Sequence, residues 1–332
     1  MIYGKITLED WRTACVEGEE PESSFESYNL RLFFFGTLYN RDTLQATPDD
    51  TNAKLAADAF LSDPAYGFSR LDGSFTIVYY SENECGVVRD HHGTHYPVYC
   101  HIDGNFATSW QFLEDQLEEN FEPNLVSLST FLQRGILKKN NFALFDVHSL
   151  GAGEKFYMLT ELGYLMPVWA SVKLETQANV HSMFDSLKER NPSLYEKVAD
   201  DIYCLKRDSV FEHEPKVATE RNPDVETYSR RYGELHAQAI RRRIGHSRRV
   251  GILLSGGYDS GSNLAALRSI YDGQIDSYSV GFKGDAWTEL PMARLMSETF
   301  GTRHHEYEID GTETSALPDI VRFLGEPFME AG

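Results

Sequence analysis

The residues best placed to do chemistry lie between Arg249 and Ser262, in the run Arg-Val-Gly-Ile-Leu-Leu-Ser-Gly-Gly-Tyr-Asp-Ser-Gly-Ser. Val250 to Leu254 is an apolar run of strand length. Ser255-Gly256-Gly257 reads as a tight turn, because adjacent glycines permit positive φ and close approach to the backbone. Helical sequence follows from about Gly261 to Tyr271. A strand, a glycine turn and a helix start together make an anion site. The loop amides point at a phosphate, and the helix dipole favours negative charge there. Asp259 does not suit a bare phosphate site, since like charges repel. It suits one with a cation in between, which makes Asp259 the candidate Mg2+ ligand. A βα turn without a ligand is the alternative reading of two glycines. The hydroxyls of Ser255 and Ser260 and the carboxylate of Asp259 favour the anion site.

The elements that must position this loop alternate from residue 250 onward. Strands are expected at 250–254, 276–281 and 303–309, and helices at 261–271, 289–300 and 316–325. That order is the signature of a doubly wound parallel sheet. Ligands of such sheets bind at the carboxyl ends of the strands, where Ser255 and Phe282 lie. The helix expected over 225–244 precedes the first strand and ends in Arg241, Arg242 and Arg243. Cations suit a helix C-terminus; a basic rim near bound phosphates is the alternative.

Residues 1 to about 170 read as β-rich. Strands are expected at 30–35, 74–80, 85–89, 96–102, 105–109, 155–160 and 164–169, with helices at 49–61 and 125–134. Asp103-Gly104 marks a hairpin. Residues 171–224 change to charged, helix-favouring sequence, with a helix expected from Asn191-Pro192-Ser193 through Ala199. They read as an insertion or linker. The partition is therefore 1–170, 171–224 and 225–332.

Composition narrows the partners. The chain has 332 residues, a hydrophobic fraction of 41% and a net charge of −20. That charge argues against nucleic acid or an anionic membrane surface as the main partner. No apolar run approaches membrane-spanning length, and the first residues lack the apolar core of a signal peptide. Cys15, Cys85, Cys100 and Cys204 show neither a disulfide framework nor a zinc pattern. A cytoplasmic location is the expectation. His304 and His305 are adjacent on an expected strand, so they face opposite ways and are poor partners on one metal ion.

Ser-Gly-Gly-x-Asp-Ser resembles the pyrophosphate loop (PP-loop) of ATP pyrophosphatases, which split ATP into AMP and pyrophosphate. More widely, the chain resembles the asparagine synthetase family through landmarks in the same order. They include Phe35-Gly36-Thr37-Leu38-Tyr39-Asn40-Arg41, Leu71-Asp72-Gly73-Ser74-Phe75, the turn Arg89 to Tyr99, Phe106-Ala107-Thr108-Ser109 and Ser149 to Gly153. Beyond the loop come Ser279-Val280-Gly281-Phe282, Thr302-Arg303-His304-His305-Glu306 and Leu324-Gly325-Glu326-Pro327-Phe328. The resemblance implies an α/β protein: an N-terminal Ntn-hydrolase-like layered β-sheet sandwich, then an ATP pyrophosphatase domain. It implies ATP and Mg2+ as ligands, an amino acid such as aspartate with ammonia or a substrate amine as partners, and a possible homodimer.

Residue by residue, the resemblance places pyrophosphate and Mg2+ against Ser255, Gly256, Gly257, Tyr258, Asp259 and Ser260. It places adenine against Leu253, Leu254, Val280, Gly281 and Phe282, and gives Asp259 and Glu326 catalytic roles. The glutaminase half departs from the family pattern. Ile2 follows Met1 where the family has its nucleophilic cysteine, and Phe35 stands where it has an oxyanion-stabilising asparagine. An apolar ring donates no hydrogen bond to an oxyanion. β-Lactam synthetases and lasso-peptide cyclases, relatives without the cysteine, adenylate a carboxylate that an amine of the substrate itself attacks. The family's second acidic loop, Ser-Gly-Glu-Gly-Ala-Asp-Glu, is not reached by Gly332, so the sequence reads as a truncated or naturally short form. The expected function is ATP-dependent amide formation without glutamine hydrolysis. The alternatives are a relative that binds ATP or cleaves it to AMP, and a non-catalytic module that uses 171–224 as a contact surface.

Overall fold

A computed structural model describes residues 1–6, 11–64, 66–101, 104–117, 123–134, 147–159, 167–171, 224–245, 247–284 and 288–324. The helix expected from residue 192 and the candidate residue Glu326 lie outside the described residues. The chain divides into two compact units, Met1–Lys216 with Val321–Gly332, and Val217–Ile320.

The first unit is built on eleven described strands. In chain order they are β1 (Ile2–Lys5), β2 (Val16–Gly18), β3 (Ser23–Glu26), β4 (Leu30–Leu38), β5 (Gly73–Ser81), β6 (Glu84–Arg89), β7 (Tyr99–His101), β8 (Asn105–Ala107), β9 (Val147–Ser149), β10 (Glu154–Leu159) and β11 (Pro167–Ser171). Its described helices are α1 (Asn52–Ser62), α2 (Trp110–Leu117) and α3 (Leu125–Arg134). The strands form two antiparallel sheets, ordered β2-β1-β8-β7-β9 and β11-β10-β6-β5-β4-β3.

Strand alternation sorts the apolar residues into layers. Leu30, Leu32 and Phe34 of β4 join Phe75, Ile77 and Tyr79 of β5 against the Ala-rich face of α1. The opposite faces, with Phe35, Val78, Tyr80 and Val87, pack against Ile2, Cys100 and Phe106 of the other sheet. The outer face of that second sheet, with Tyr99, Ala107 and Val147, is covered by Leu113 of α2. The result is a helix–sheet–sheet–helix stack. Tyr79, on the α1 side, donates to Glu84, which also accepts from Lys155 Nζ at 2.8 Å. Pairing and hydrogen bonding keep these charges tolerable at depth.

Asp90 fixes the turn between β6 and β7. It is fully buried, and its carboxylate accepts from the amides of His95 (2.9 Å), Thr94 (3.1 Å), His92 (3.0 Å) and Phe75 (3.4 Å). Burial alone would raise its pKa, but those amides outweigh burial and hold the carboxyl below the ordinary carboxylate value.

The second unit begins with α4 (Val225–Ile244), followed by β12 (Val250–Leu253), α5 (Tyr258–Ile270), β13 (Ile275–Phe282), α6 (Leu290–Phe300) and β14 (Arg303–Ile309); α7 (Leu317–Leu324) starts in this unit and ends among the residues grouped with the first. The strands form a parallel sheet, β12-β13-β14. One face carries the core: Val250, Leu254 and Ile275 meet Leu264 and Leu267 of α5 and Ala293 of α6, with Ile240 and Ile244 of α4 against them. The described residues carry the parallel sheet of the doubly wound expectation, with helices on one side of it. Among the described residues both crossover helices lie on one face, and Val280, Phe282 and Tyr307 stand exposed on the other. A strand order that advances one way with right-handed crossovers puts successive helices on the same side. No helix among the described residues is long and apolar enough to cross a membrane.

Asp90 yields a pH test. Its folded pKa is the depressed one, so its contribution is complete above the unfolded value of about 3.9 and is lost as pH falls through the lower folded value. Asp90→Asn should cost about 2 kcal/mol at pH 7 by urea unfolding, with a smaller loss of stability than wild type between pH 5 and pH 3.

Candidate functional site

The strand that leads into the loop ends at Leu253. Leu254 is buried, donates its amide to the Tyr278 carbonyl at 2.8 Å and accepts from the Ser279 hydroxyl. The chain end of the strand is therefore pinned to β13 just before the turn. Gly256 then takes φ +95°. A Cβ there would fall 2.7 Å from the Glu289 carbonyl oxygen and 3.1 Å from the Ala293 nitrogen, both backbone atoms of the α6 start. Only glycine fits.

Gly257 is different. Its φ is −77°, and a Cβ would meet nothing nearer than Ser255 Oγ at 3.4 Å. It is the N-cap of α5 and provides no side-chain acceptor for the first amides of the helix. Those amides lack intrahelical partners and point out of the helix end. Serine, aspartate or asparagine would cap them better. The glycine leaves both the donors and the space open.

The helix starts three residues earlier than the sequence predicts, at Tyr258 instead of Gly261. Asp259 and Ser260 thereby sit in its first turn. Ser260 Oγ is 3.0 Å from Ser255 Oγ and accepts from the Ser255 amide at 3.2 Å. The Gly257 amide donates to Ser255 Oγ at 3.3 Å. These contacts wrap the loop around the helix end. Tyr258 is 96% exposed, and the Asp259 side chain is also exposed.

Strand alternation divides the residues expected to line an adenine site. Leu253 is 80% exposed, Val280 62% and Phe282 61%, all on the open sheet face. Leu254 and Gly281 are buried on the helix-covered face. A Cβ on Gly281 would be 2.6 Å from Leu290 Cδ1. The side chains available to a flat ligand are thus Leu253, Val280 and Phe282.

The arginines do not rim the loop. Arg241, Arg242 and Arg243 fill the last turn of α4, which leads into the amino end of β12. The loop lies at the other end of that strand, about 13 Å away at 3.3 Å per residue.

His304 and His305 do face opposite ways. His305 stacks on Tyr278 on the open face, with ring centroids 4.8 Å apart, and its Nε2 is 3.2 Å from Asp276. Arg303 and then His305 hold the Asp276 carboxyl down at about 2. His304 Nδ1 is 2.8 Å from Ser277 Oγ, and its Nε2 is 3.1 Å from Glu306. The order Ser–His–carboxylate suggests a hydrolytic triad, but Ser277 is fully buried and no substrate reaches it. Arg294 instead clamps Glu306 with two bonds of 2.7 Å, and Thr302 Oγ1 lies 2.7 Å from both Ser277 and Ser297. This network was not foreseen in the sequence; the Ser-x-Ser alternation in β13 was its one signal. Among the described residues no cluster of three metal-ligating side chains occurs.

The two glycines predict opposite outcomes. Gly256→Ala should destabilise the second unit by about 2 kcal/mol, since both φ and space are wrong. Gly257→Ser should leave its stability unchanged or slightly raised, because serine caps α5. Chemical unfolding of both variants checks the pair.

Comparison with known proteins bears on this region above all. The chain is 35% identical over 79 residues to proteins named putative asparagine synthetase (glutamine-hydrolyzing) in Mycobacterium bovis and Mycobacterium tuberculosis, covering 24% of this chain and 12% of each of those. A protein of similar name in Methanocaldococcus jannaschii is 32% identical over 81 residues, 24% of this chain and 16% of that one. The match thus spans less than a fifth of the length of these relatives. Among solved structures, glutamine phosphoribosylpyrophosphate amidotransferase from B. subtilis, complexed with ADP and GMP, aligns with 95% of this chain and 78% of its own. The sequence identity is 12% and the TM-score 0.34, too loose a likeness to carry an argument. The family model described as asparagine synthase matches residues 231–332, so the stretch from Arg231, within α4, onward carries the family resemblance that the loop motif announced.

Proposed function

We propose that this chain uses ATP to activate a carboxylate as an acyl-adenylate, with release of pyrophosphate, and passes the acyl group to an amine to form an amide. The observation that carries the reading is the glycine-capped start of α5 directly after β12, with Ser255, Asp259 and Ser260 around it. The asparagine synthase match over 231–332 supports it.

The chemistry asks for few groups. A substrate carboxylate oxygen attacks the α-phosphorus of ATP, and the α–β phosphoanhydride bond breaks. Free amides of the first turn of α5 and the two hydroxyls would stabilise the charge that collects on the departing pyrophosphate. Mg2+ suits this site with one protein carboxylate, Asp259, and the rest of its shell from phosphates and water, which is its usual habit. Bound there, it would neutralise phosphate charge. Leu253, Val280 and Phe282 would give adenine an apolar platform. An amine then attacks the acyl carbon, and AMP leaves. Aspartate with ammonia is the family's pair; a substrate amine is the other form.

Glutamine hydrolysis is not part of the proposal. Ile2 and Phe35 belong to one buried apolar cluster between the two sheets. Two apolar groups stand where the family has its nucleophile and an oxyanion donor, and neither can do that work.

The test follows AMP and pyrophosphate release with Mg·ATP across a panel of amino acids, each with ammonia, glutamine or no nitrogen source. Release that requires one carboxylate, proceeds with ammonia or an internal amine, gains nothing from glutamine and falls at least a hundredfold in Asp259→Ala is the expected result. AMP formation indifferent to any carboxylate would sink the ligase reading in favour of an ATP-cleaving relative.

A further inference from the structure

One wall of the site remains to be assigned, and the assignment rests on the nucleotide reading of the 255–260 loop. Helices α4 and α5 lie side by side and run the same way. His236 Nε2 is 2.7 Å from Asn263 Oδ1, an offset of 27 positions. Ile240 and Ile244 pack against the cluster that holds Leu264 and Leu267. Tyr271, just past α5, donates to the carbonyl of Arg248, just past α4. The two helices therefore finish together, but α4 is 20 residues long and α5 is 13. At 1.5 Å per residue the amino end of α4 projects about 9 Å beyond the start of α5.

By the same offset, Tyr232 is level with Asp259. Helix periodicity carries the face that meets Asn263 at His236 up through Tyr232 and Ser229. The rings of Tyr232 and His236 confirm the shared face, with centroids 5.4 Å apart. Tyr232 is 65% exposed. Arg231 pairs with Glu234 at 3.3 Å, and the face that carries His236 offers the hydroxyls of Tyr232 and Ser229 as donors. Next to it, Gly233 sits in the helix interior, where glycine is destabilising. A Cβ there would meet nothing within 4 Å, so packing gives no reason for it.

We infer that the projecting half of α4 forms a wall of the nucleotide site, with the Tyr232 hydroxyl donating to a phosphate oxygen at the pyrophosphate end and Gly233 leaving clearance for it. The ligand class is an inorganic or nucleoside polyphosphate, and Tyr232 is a binding residue.

The test is calorimetric titration of the full chain with Mg·pyrophosphate and Mg·ATP. It compares wild type, Tyr232→Phe, Tyr232→Ala, Gly233→Ala and Gly257→Ser, with the Tm of each. Tyr232→Phe and Tyr232→Ala should each weaken Mg·pyrophosphate about tenfold, the size expected for one hydrogen bond to a charged group, with Tm unchanged. Gly233→Ala should raise Tm and still weaken binding several-fold, a split that a structural role alone does not produce. If the Tyr232 and Gly233 variants bind like wild type while Gly257→Ser does not, the wall is wrong and the loop reading stands. If wild type binds neither ligand, both fall.

Discussion

The close fit between Gly256 and the first turn of α6 is the constraint on which the second unit depends. The loop can reach its shape only because the backbone of Glu289 and Ala293 lies against a residue with no side chain. That contact demands that α6 be held still. Two hydrogen-bonded links do so: Arg294 to Glu306 of β14, and Ser297 through Thr302 to Ser277 of β13 and on to His304 of β14. Serines in a core that could have been valine make sense in this light. Hydrogen bonds fix direction as well as distance, whereas apolar packing of a short helix tolerates a slide. A slide of one ångström at α6 would press on the loop.

The two units spend their buried polar groups differently. In the first, Asp90 gathers backbone amides to hold a turn, and Glu84 neutralises Lys155 beneath α1. In the second, hydroxyls and an imidazole join the Arg294–Glu306 pair behind the loop. A second charged pair, Asp276 with Arg303, lies on the open face. The hydroxyls hold the backbone without adding charge.

Much of this was legible in the sequence. The strand, turn and helix around Gly256 follow from an apolar run and two glycines, and α3, α4 and β14 span the expected residues. Three things were not legible. The start of α5 came earlier than expected, because Tyr258 and Asp259 are indifferent helix formers and only the tertiary position of Gly257 makes it the cap. The division of Leu253 from Leu254, and of Val280 from Gly281, depends on which sheet face the helices cover, which an apolar run does not record. The Ser277–His304 network pairs residues 27 positions apart. Only strand register brings them together.

The glycines teach the sharpest distinction between fold and function. Gly256 is explained by its own protein: its φ and its neighbours forbid any other residue. Gly257 and Gly233 are not, since each has room for a side chain, and each sits where a different residue would make a better cap or a better helix. A glycine that the fold requires is silent about ligands. Two that the fold would gladly exchange, on adjoining helices that run the same way, leave the space that the proposed nucleotide would fill. Asp259 and Tyr232, level with each other on those helices, give that space one carboxylate and one phenol. This pairing suits a cation and the anion it accompanies better than either alone.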